Sequence, residues 1–216
     1  MYSSEHPIPS ETQLSGLLVQ PLAERIREWY LAGKLDEGDL ERALSNDGHA
    51  LVDHPVGSGE WVPLSDVEGL VTLVAEQLGG EAGLADWASE IVEGWQGADP
   101  VRELVQVARS LVDAPGFVVS QASELLVCEP DWRYDGGRSA FAVRLRGVEA
   151  ASSSLKALLG ALLARLANAV QDLAFDVRFE GVDADELVVF GEIAADGEIE
   201  GEELQESRLH RAALVG

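Results

Sequence analysis

The stretch Glu124–Val148, ELLVCEPDWRYDGGRSAFAVRLRGV, decides how the rest of the chain is read. Before it, apolar residues recur every three or four positions; within it they begin to alternate. Phe141, Val143 and Leu145 are interleaved with Ala142, Arg144 and Arg146, a period of two with one polar face, as a half-buried strand requires. ELLVCEPDWRY reads as an earlier β run. Asp135-Gly136-Gly137 reads as the hairpin turn between the two, because glycine accepts the positive φ angles of tight turns. SSSLKALLGALLARLANAVQD then predicts a strongly apolar helix, with Ser152 to Ser154 available as caps. LAFDVRFEGV and DELVVFGEIA are two further strands around Asp183-Ala184-Asp185. The order β-β-α-β-β predicts a four-stranded antiparallel sheet with a helix on one face, in an α+β fold. Residues 116–124, GFVVSQASE, fit either a short helix or the beginning of the first strand.

Toward the N-terminus the period is helical. Leu18, Leu22, Ile26 and Trp29–Tyr30 share one face, and Gly33 ends the pattern. Leu35 to Leu44 is a second, shorter helix. PLSDVEGLVTLVAEQLGG has Ser65 and Glu68 at capping-box spacing and Gly79–Gly80 as its stop. Leu84, Trp87, Ala88, Ile91 and Trp95 form the stripe of a fourth helix. In DPVRELVQVARSLVDAPG, Asp99 is the expected N-cap, Pro100 the first helical residue and Pro115–Gly116 the stop. Trp29, Trp87 and Trp95 fall on apolar stripes and are expected in the core, while Trp61 is placed to staple the chain entering the next helix. The chain divides into a flexible leader (1–16), a helical region (17–115), a β-β-α-β-β region (116–194) expected to share one globular unit with it, and an acidic C-terminal tail (195–216). From Asp196 to Glu206, six of eleven residues are acidic.

Charge narrows the partners. Among 216 residues, 39 acids stand against 15 bases, a net −24. Such a surface repels phosphate backbones and anionic lipid, so neither nucleic acid nor a membrane is an expected partner. Of the basic residues only Lys34 and Lys156 are lysines, and adaptation to salt or a GC-rich genome would each leave that bias. A lone cysteine, Cys128, excludes an intrachain disulfide and a cysteine-built zinc site. No basic-then-apolar signal opens the chain, and no apolar run approaches the ~20 residues of a membrane span, so a cytoplasmic protein is expected.

Chemistry-bearing patterns are sparse. HALVDHPVGSGEW holds His49 and His54 at i, i+5, ~140° apart on a helix of 3.6 residues per turn, whereas zinc helices use i, i+4. Pro55 ends any helix there, so the two read as an ordinary helix-end pair; His6 and His210 lie near the termini. No Gly-x-Ser-x-Gly elbow and no phosphate-cradling glycine loop occurs, and no histidine lies between Trp61 and Leu209 to act as a base. No catalytic, cofactor-binding or metal residue is therefore assigned, and no cofactor is expected. Trp132, Arg133, Arg138, Arg144 and Arg146 make one local basic patch. In so acidic a chain they read as intramolecular partners of carboxylates or as a contact for an acidic protein.

Two resemblances follow from these residues. GHALVDHPVGSGEWVPLSDVEGLVTLV is similar to a set of uncharacterised myxobacterial and related deltaproteobacterial proteins. Those carry Gly-x-Trp-Tyr-Pro before a helix; Gly59, Trp61 and Pro63 match, and Val62 stands where Tyr is usual. No activity comes with that likeness. Helices followed by β-β-α-β-β also resemble heme-NO-binding and vinyl-4-reductase-type ligand domains. The heme members imply a helix-borne histidine and a Tyr-x-Ser-x-Arg motif, and the nearest approach here is YDGGR, Tyr134–Arg138. Heme is thus not expected, while an apolar pocket without heme stays open. The reading drawn from all this is a non-enzymatic regulatory or scaffolding protein acting through protein contacts. Its alternative is a sensor binding a small apolar ligand between Leu155–Val170 and the inner face of the sheet. A monomer or weak homodimer is expected, with Arg144 and Arg146 either blocking a sheet edge or pairing with a partner's acids.

Overall fold

The structure, a computed structural model, describes residues 11–54, 56–95, 97, 99–111, 114–136, 140–170, 175–181 and 186–193. His6, Arg138, His210, most of the expected leader and the acidic tail lie outside the described residues. In chain order the elements are β1 (Gln13–Ser15), α1 (Gly16–Leu31), α2 (Glu37–Ala43), α3 (Asn46–Asp53), β2 (Trp61–Pro63), α4 (Leu64–Leu78) and α5 (Glu81–Trp95). They continue with α6 (Asp99–Ala108), α7 (Ala114–Leu126), β3 (Asp131–Gly136), β4 (Ala140–Arg146), α8 (Ser153–Ala169), β5 (Phe175–Glu180) and β6 (Leu187–Ile193).

The four-stranded sheet forms as the alternation predicts. Its order is β3-β4-β6-β5, antiparallel throughout. Phe141, Val143 and Leu145 are buried, and Val143 and Leu145 stand opposite Val189 and Leu187 of β6, which are also buried. Because β6 lies between β4 and β5, α8 must carry the chain across the sheet face to the far edge. That passage explains its composition. Leu155, Leu158, Leu159, Leu162, Leu163 and Leu166 are all buried, and so are the alanines between them. A helix apolar over most of its circumference belongs in an interior, and Arg165 and Asn168 mark the part of α8 left exposed. The sheet and α7 cover one side of α8, and α4 and α5 cover the other. No helix among the described residues is long and apolar enough to cross a membrane.

Two local devices fix where α8 sits. The Ser152 hydroxyl accepts a bond from the Leu155 N–H at 3.2 Å, capping the helix as expected. The Ser152 N–H, left over at that end, donates to Glu68 Oε1 of α4 at 2.8 Å. Further along, a Cβ on Gly160 would lie 2.5 Å from Cγ of the Phe179 ring, so only glycine lets the helix approach β5 this closely.

Several expectations are corrected. Residues 116–124 are helical, and α7 runs from Ala114 to Leu126, through the start of the first expected strand. Val118, Val119, Ala122 and Leu126 recur at helical spacing and are buried; the equally buried hydroxyls of Ser120 and Ser123 bond back to Gly116 O and Ser120 O at 2.9 and 2.7 Å. Glu129, at φ 49°, turns the chain out of the helix, and β3 begins only at Asp131. Pro115 opens α7 instead of closing α6, since a proline in the first turn forfeits no helical hydrogen bond. At α4 the N-cap is Pro63 without a side-chain bond; the Ser65 N–H goes to Glu11 Oε1 at 3.2 Å, and Glu68 serves α8 instead.

Residues 11–16 belong to the folded body, not to a leader. Leu14 is fully buried, β1 pairs antiparallel with β2, and the Cys128 N–H donates to Gln13 O at 2.9 Å. Gly16 approaches Gly57 so closely that a Cβ would fall 2.0 Å from its carbonyl oxygen, which gives the Gly-Ser-Gly loop a packing role. Trp61 does not staple. It is 41% exposed on β2 while its neighbour Val62 is buried. Trp29, Trp87 and Trp95 are buried as expected, with the Arg25 guanidinium 5.9 and 5.3 Å from the ring centroids of Trp29 and Trp87 and bonded to Glu90 at 2.7 Å.

Candidate functional site

Helix α6 uses two faces differently. Val101, Leu104 and Ala108 are buried, and its main packing partner is α7. Arg102, Val105 and Gln106, with Arg109 just past its end, recur at three- and four-residue spacing and so share the adjacent face. Across from that face, α5 and α8 pack on each other. Between them and α6 runs a groove of about 340 Å³, lined by Val92, Arg102, Val105, Gln106, Arg109, Leu166 and Ala169. Val92 of α5 and Leu166 of α8 are buried and make its floor; Arg102, Gln106 and Arg109 are exposed and make its rim. Small-molecule sites combine these features: apolar walls, a few polar groups and ~300–1,000 Å³ of space.

The electrostatics of the rim run against the rest of the molecule. Both charged lining residues are arginines, in a chain of net −24. Arg102 bonds to Asp99 of its own helix, an exposed pair. Arg109 has no carboxylate partner among the described residues. No carboxylate lines the groove among the described residues.

The groove is not where a pocket was expected. The first turns of α8 pack directly on the sheet, with Gly160 against Phe179, and the open space lies at the other end, between helices. Only the C-terminal part of the expected lining, Leu166 and Ala169, takes part. The spacing of Arg102, Val105, Gln106 and Arg109 was legible in the sequence as a stripe, but a stripe does not say whether a neighbouring helix closes over it.

The basic patch is largely spent on its own chain. Trp132 Nε1 donates to Glu124 Oε1 at 2.9 Å. Arg146 bonds to Glu186, and Arg144 Nη1 lies 3.8 Å from the same carboxylate. Arg133 is exposed on β3, directly opposite Arg144 in the register. Arg144 and Arg146 sit on β4, an interior strand, so neither blocks an edge; the edges are β3 and β5.

His49 lies in α3, which packs on α1 and α4, and His54 is that helix's exposed C-cap. Among the described residues no group of three or more His, Cys, Asp or Glu could hold a metal ion. Burial, aided by Glu129, pushes the Cys128 thiol up from its ordinary range, which disfavours the thiolate needed for nucleophilic attack or metal binding.

With this geometry in view, comparison with solved structures is informative. The fold is H-NOX-like. An H-NOX protein from K. algicida, solved in its Fe(II) unliganded form, superposes with a TM-score of 0.56, covering 86% of this chain and 100% of that one at 8% identity. A point mutant of T. tengcongensis H-NOX gives 0.50, with 86% and 100% coverage at 12% identity. A structure from work on heme distortion in the H-NOX family gives 0.51, with 87% and 98% coverage at 12% identity. At such identities the likeness is one of fold alone. No protein-family model matches the sequence, and neither does any curated protein, so the likeness to the deltaproteobacterial set rests on Gly59, Trp61 and Pro63.

Heme, which this fold family implies, finds no iron ligand in this groove among the described residues. An iron ligand has to come from a His, Cys, Tyr or Met side chain. Among the described residues the groove offers none of them, and the two described histidines are His49 of α3 and His54 at its C-cap.

Proposed function

We propose that this protein is a heme-free, non-enzymatic sensor domain that takes a small ligand in the groove between α5, α6 and α8. The observation that carries the reading is the groove itself, apolar in its floor and, among the described residues, without an iron-ligating side chain, set in an H-NOX-like fold. Helix α6 packs on α7, and α7 packs against β3 and β4. Occupancy of the groove would therefore be felt at the sheet, where the exposed Arg133 is available to a protein partner. In this reading the regulatory role and the ligand-binding role are one. The domain acts in the cytoplasm as a monomer or weak homodimer.

Two measurements on the full chain test this. Titration with hemin is expected to give no stoichiometric Soret band; a stoichiometric band abolished by substituting His49 or His54 would overturn the heme-free reading. A panel of small apolar and amphiphilic compounds is expected to include members that raise the melting temperature of the wild type. Those shifts should vanish in Val105→Trp, which fills the groove. Shifts that persist in Val105→Trp would overturn the assignment of the site.

A further inference from the structure

We infer that the ligand of this groove is an amphiphilic monoanion, a carboxylate with an aliphatic tail. The inference rests on the groove being the ligand site and adds the class of molecule it takes. Of its seven described lining residues four, Val92, Val105, Leu166 and Ala169, are aliphatic and none is aromatic. Stacking of a planar ring is thus not what the walls are built for, whereas a flexible alkyl chain fills such a slot at about 0.8 kcal/mol per buried CH₂. The polar groups are segregated on α6. Arg102, Gln106 and Arg109 lie at i, i+4 and i+7, on one line along the helix, and all three are donors that project from the rim.

The net charge makes this choice of side chains informative. Acids outnumber bases by 39 to 15, yet among the described residues the charged groups at the groove are two arginines and no acid. A cationic ligand would meet two like charges, and a neutral one would leave the guanidinium of Arg109 without a counter-charge among the described residues. A carboxylate accepts two parallel N–H bonds from one guanidinium, a geometry that fixes the head while the tail runs over Val92 and Leu166. Arg102 is already bonded to the exposed Asp99, so Arg109 is the primary anchor and Arg102 contributes when it leaves Asp99. Gln106, between them, can donate its amide N–H to the same head.

The test uses the full chain, with octanoate, 1-octanol and octyl phosphate as probes, titrated calorimetrically at constant ionic strength. Octanoate is expected to bind at least tenfold more tightly than 1-octanol. In Arg102→Gln/Arg109→Gln that preference should fall below twofold, with the far-UV circular dichroism and melting temperature of the variant confirming that it folds. Equal affinity for octanoate and octanol in the wild type would overturn the anion assignment yet leave the groove reading intact, provided Val105→Trp still abolishes binding. Tighter binding of octyl phosphate than of octanoate would overturn the carboxylate and identify a phosphate monoester head. If neither octanoate nor octanol binds while other panel compounds protect the wild type but not Val105→Trp, the amphiphile is wrong and the site stands. Binding of any probe that survives Val105→Trp would sink both.

Discussion

Glycine-to-alanine substitution in a helix ordinarily stabilises, by about 0.4–1 kcal/mol, because alanine restricts the unfolded chain and suits the helix. Two helical glycines of this protein should respond with opposite signs. Gly94, near the end of α5, is exposed, and a Cβ there would meet nothing within 4 Å. Gly94→Ala should gain roughly 0.5 kcal/mol. Gly160 of α8 faces Phe179 of β5, where a Cβ would sit 2.5 Å from Cγ and Cδ2 and 3.0 Å from Cβ of that side chain. Those atoms are near the Phe179 backbone and cannot swing aside, so either α8 or β5 must shift. Overpacking of this kind costs about 1–3 kcal/mol, offset by up to about 1 from helix propensity, for an expected net loss of about 1 kcal/mol. Urea unfolding followed at 222 nm measures both variants. Phe179→Leu should relieve the clash, giving a coupling of at least about 0.5 kcal/mol in a double-mutant cycle with Gly160→Ala. If Gly160→Ala stabilised the protein as much as Gly94→Ala does, α8 would not lie on β5 in this way. The close packing of α8 on β5 at Gly160 would be wrong with it.

The bond between α4 and α8 gives a second expectation. Glu68→Ala leaves the half-buried Ser152 N–H without its acceptor and should cost about 1–2 kcal/mol in the same assay, while Glu68→Gln, which keeps an oxygen there, should lose less than half of that. A third concerns pH. Burial, with Asp47 and Glu11 nearby, raises the Asp66 carboxyl above its ordinary range. The folded state therefore holds that proton longer than the unfolded chain does, and stability declines as pH rises from the ordinary carboxylate range through the raised value. Asp66→Asn should accordingly be more stable than wild type at neutral pH, with the advantage disappearing at pH values below that range. Melting curves recorded across pH 3–7 would show whether the advantage instead persists in acid.

What local chemistry could announce, the sequence announced. Phe141, Val143 and Leu145 alternate with arginines because a strand turns successive side chains to opposite faces, so the sheet was legible without coordinates. The apolar run from Leu155 to Ala167 similarly marked a helix packed on one face of the sheet; that α4 and α5 also cover it came only from the structure. The i, i+5 spacing of His49 and His54 puts them on different faces of a helix, which is why they read as a helix-end pair and not as zinc ligands. Local pattern failed where one residue can serve two neighbours. Pro115 suits a helix start as well as a stop, and Glu68 suits its own helix's cap as well as the end of α8; only the position of the partner element decides. Leu14 looked like part of a leader because its burial depends on β2 and Val127, 48 and 113 residues away. The groove is the furthest from sequence of all. Whether Arg102, Val105, Gln106 and Arg109 face solvent, a neighbouring helix or a ligand depends on how far α6 stands from α5 and α8, and that distance is set by packing across the whole core, which no local run of residues encodes.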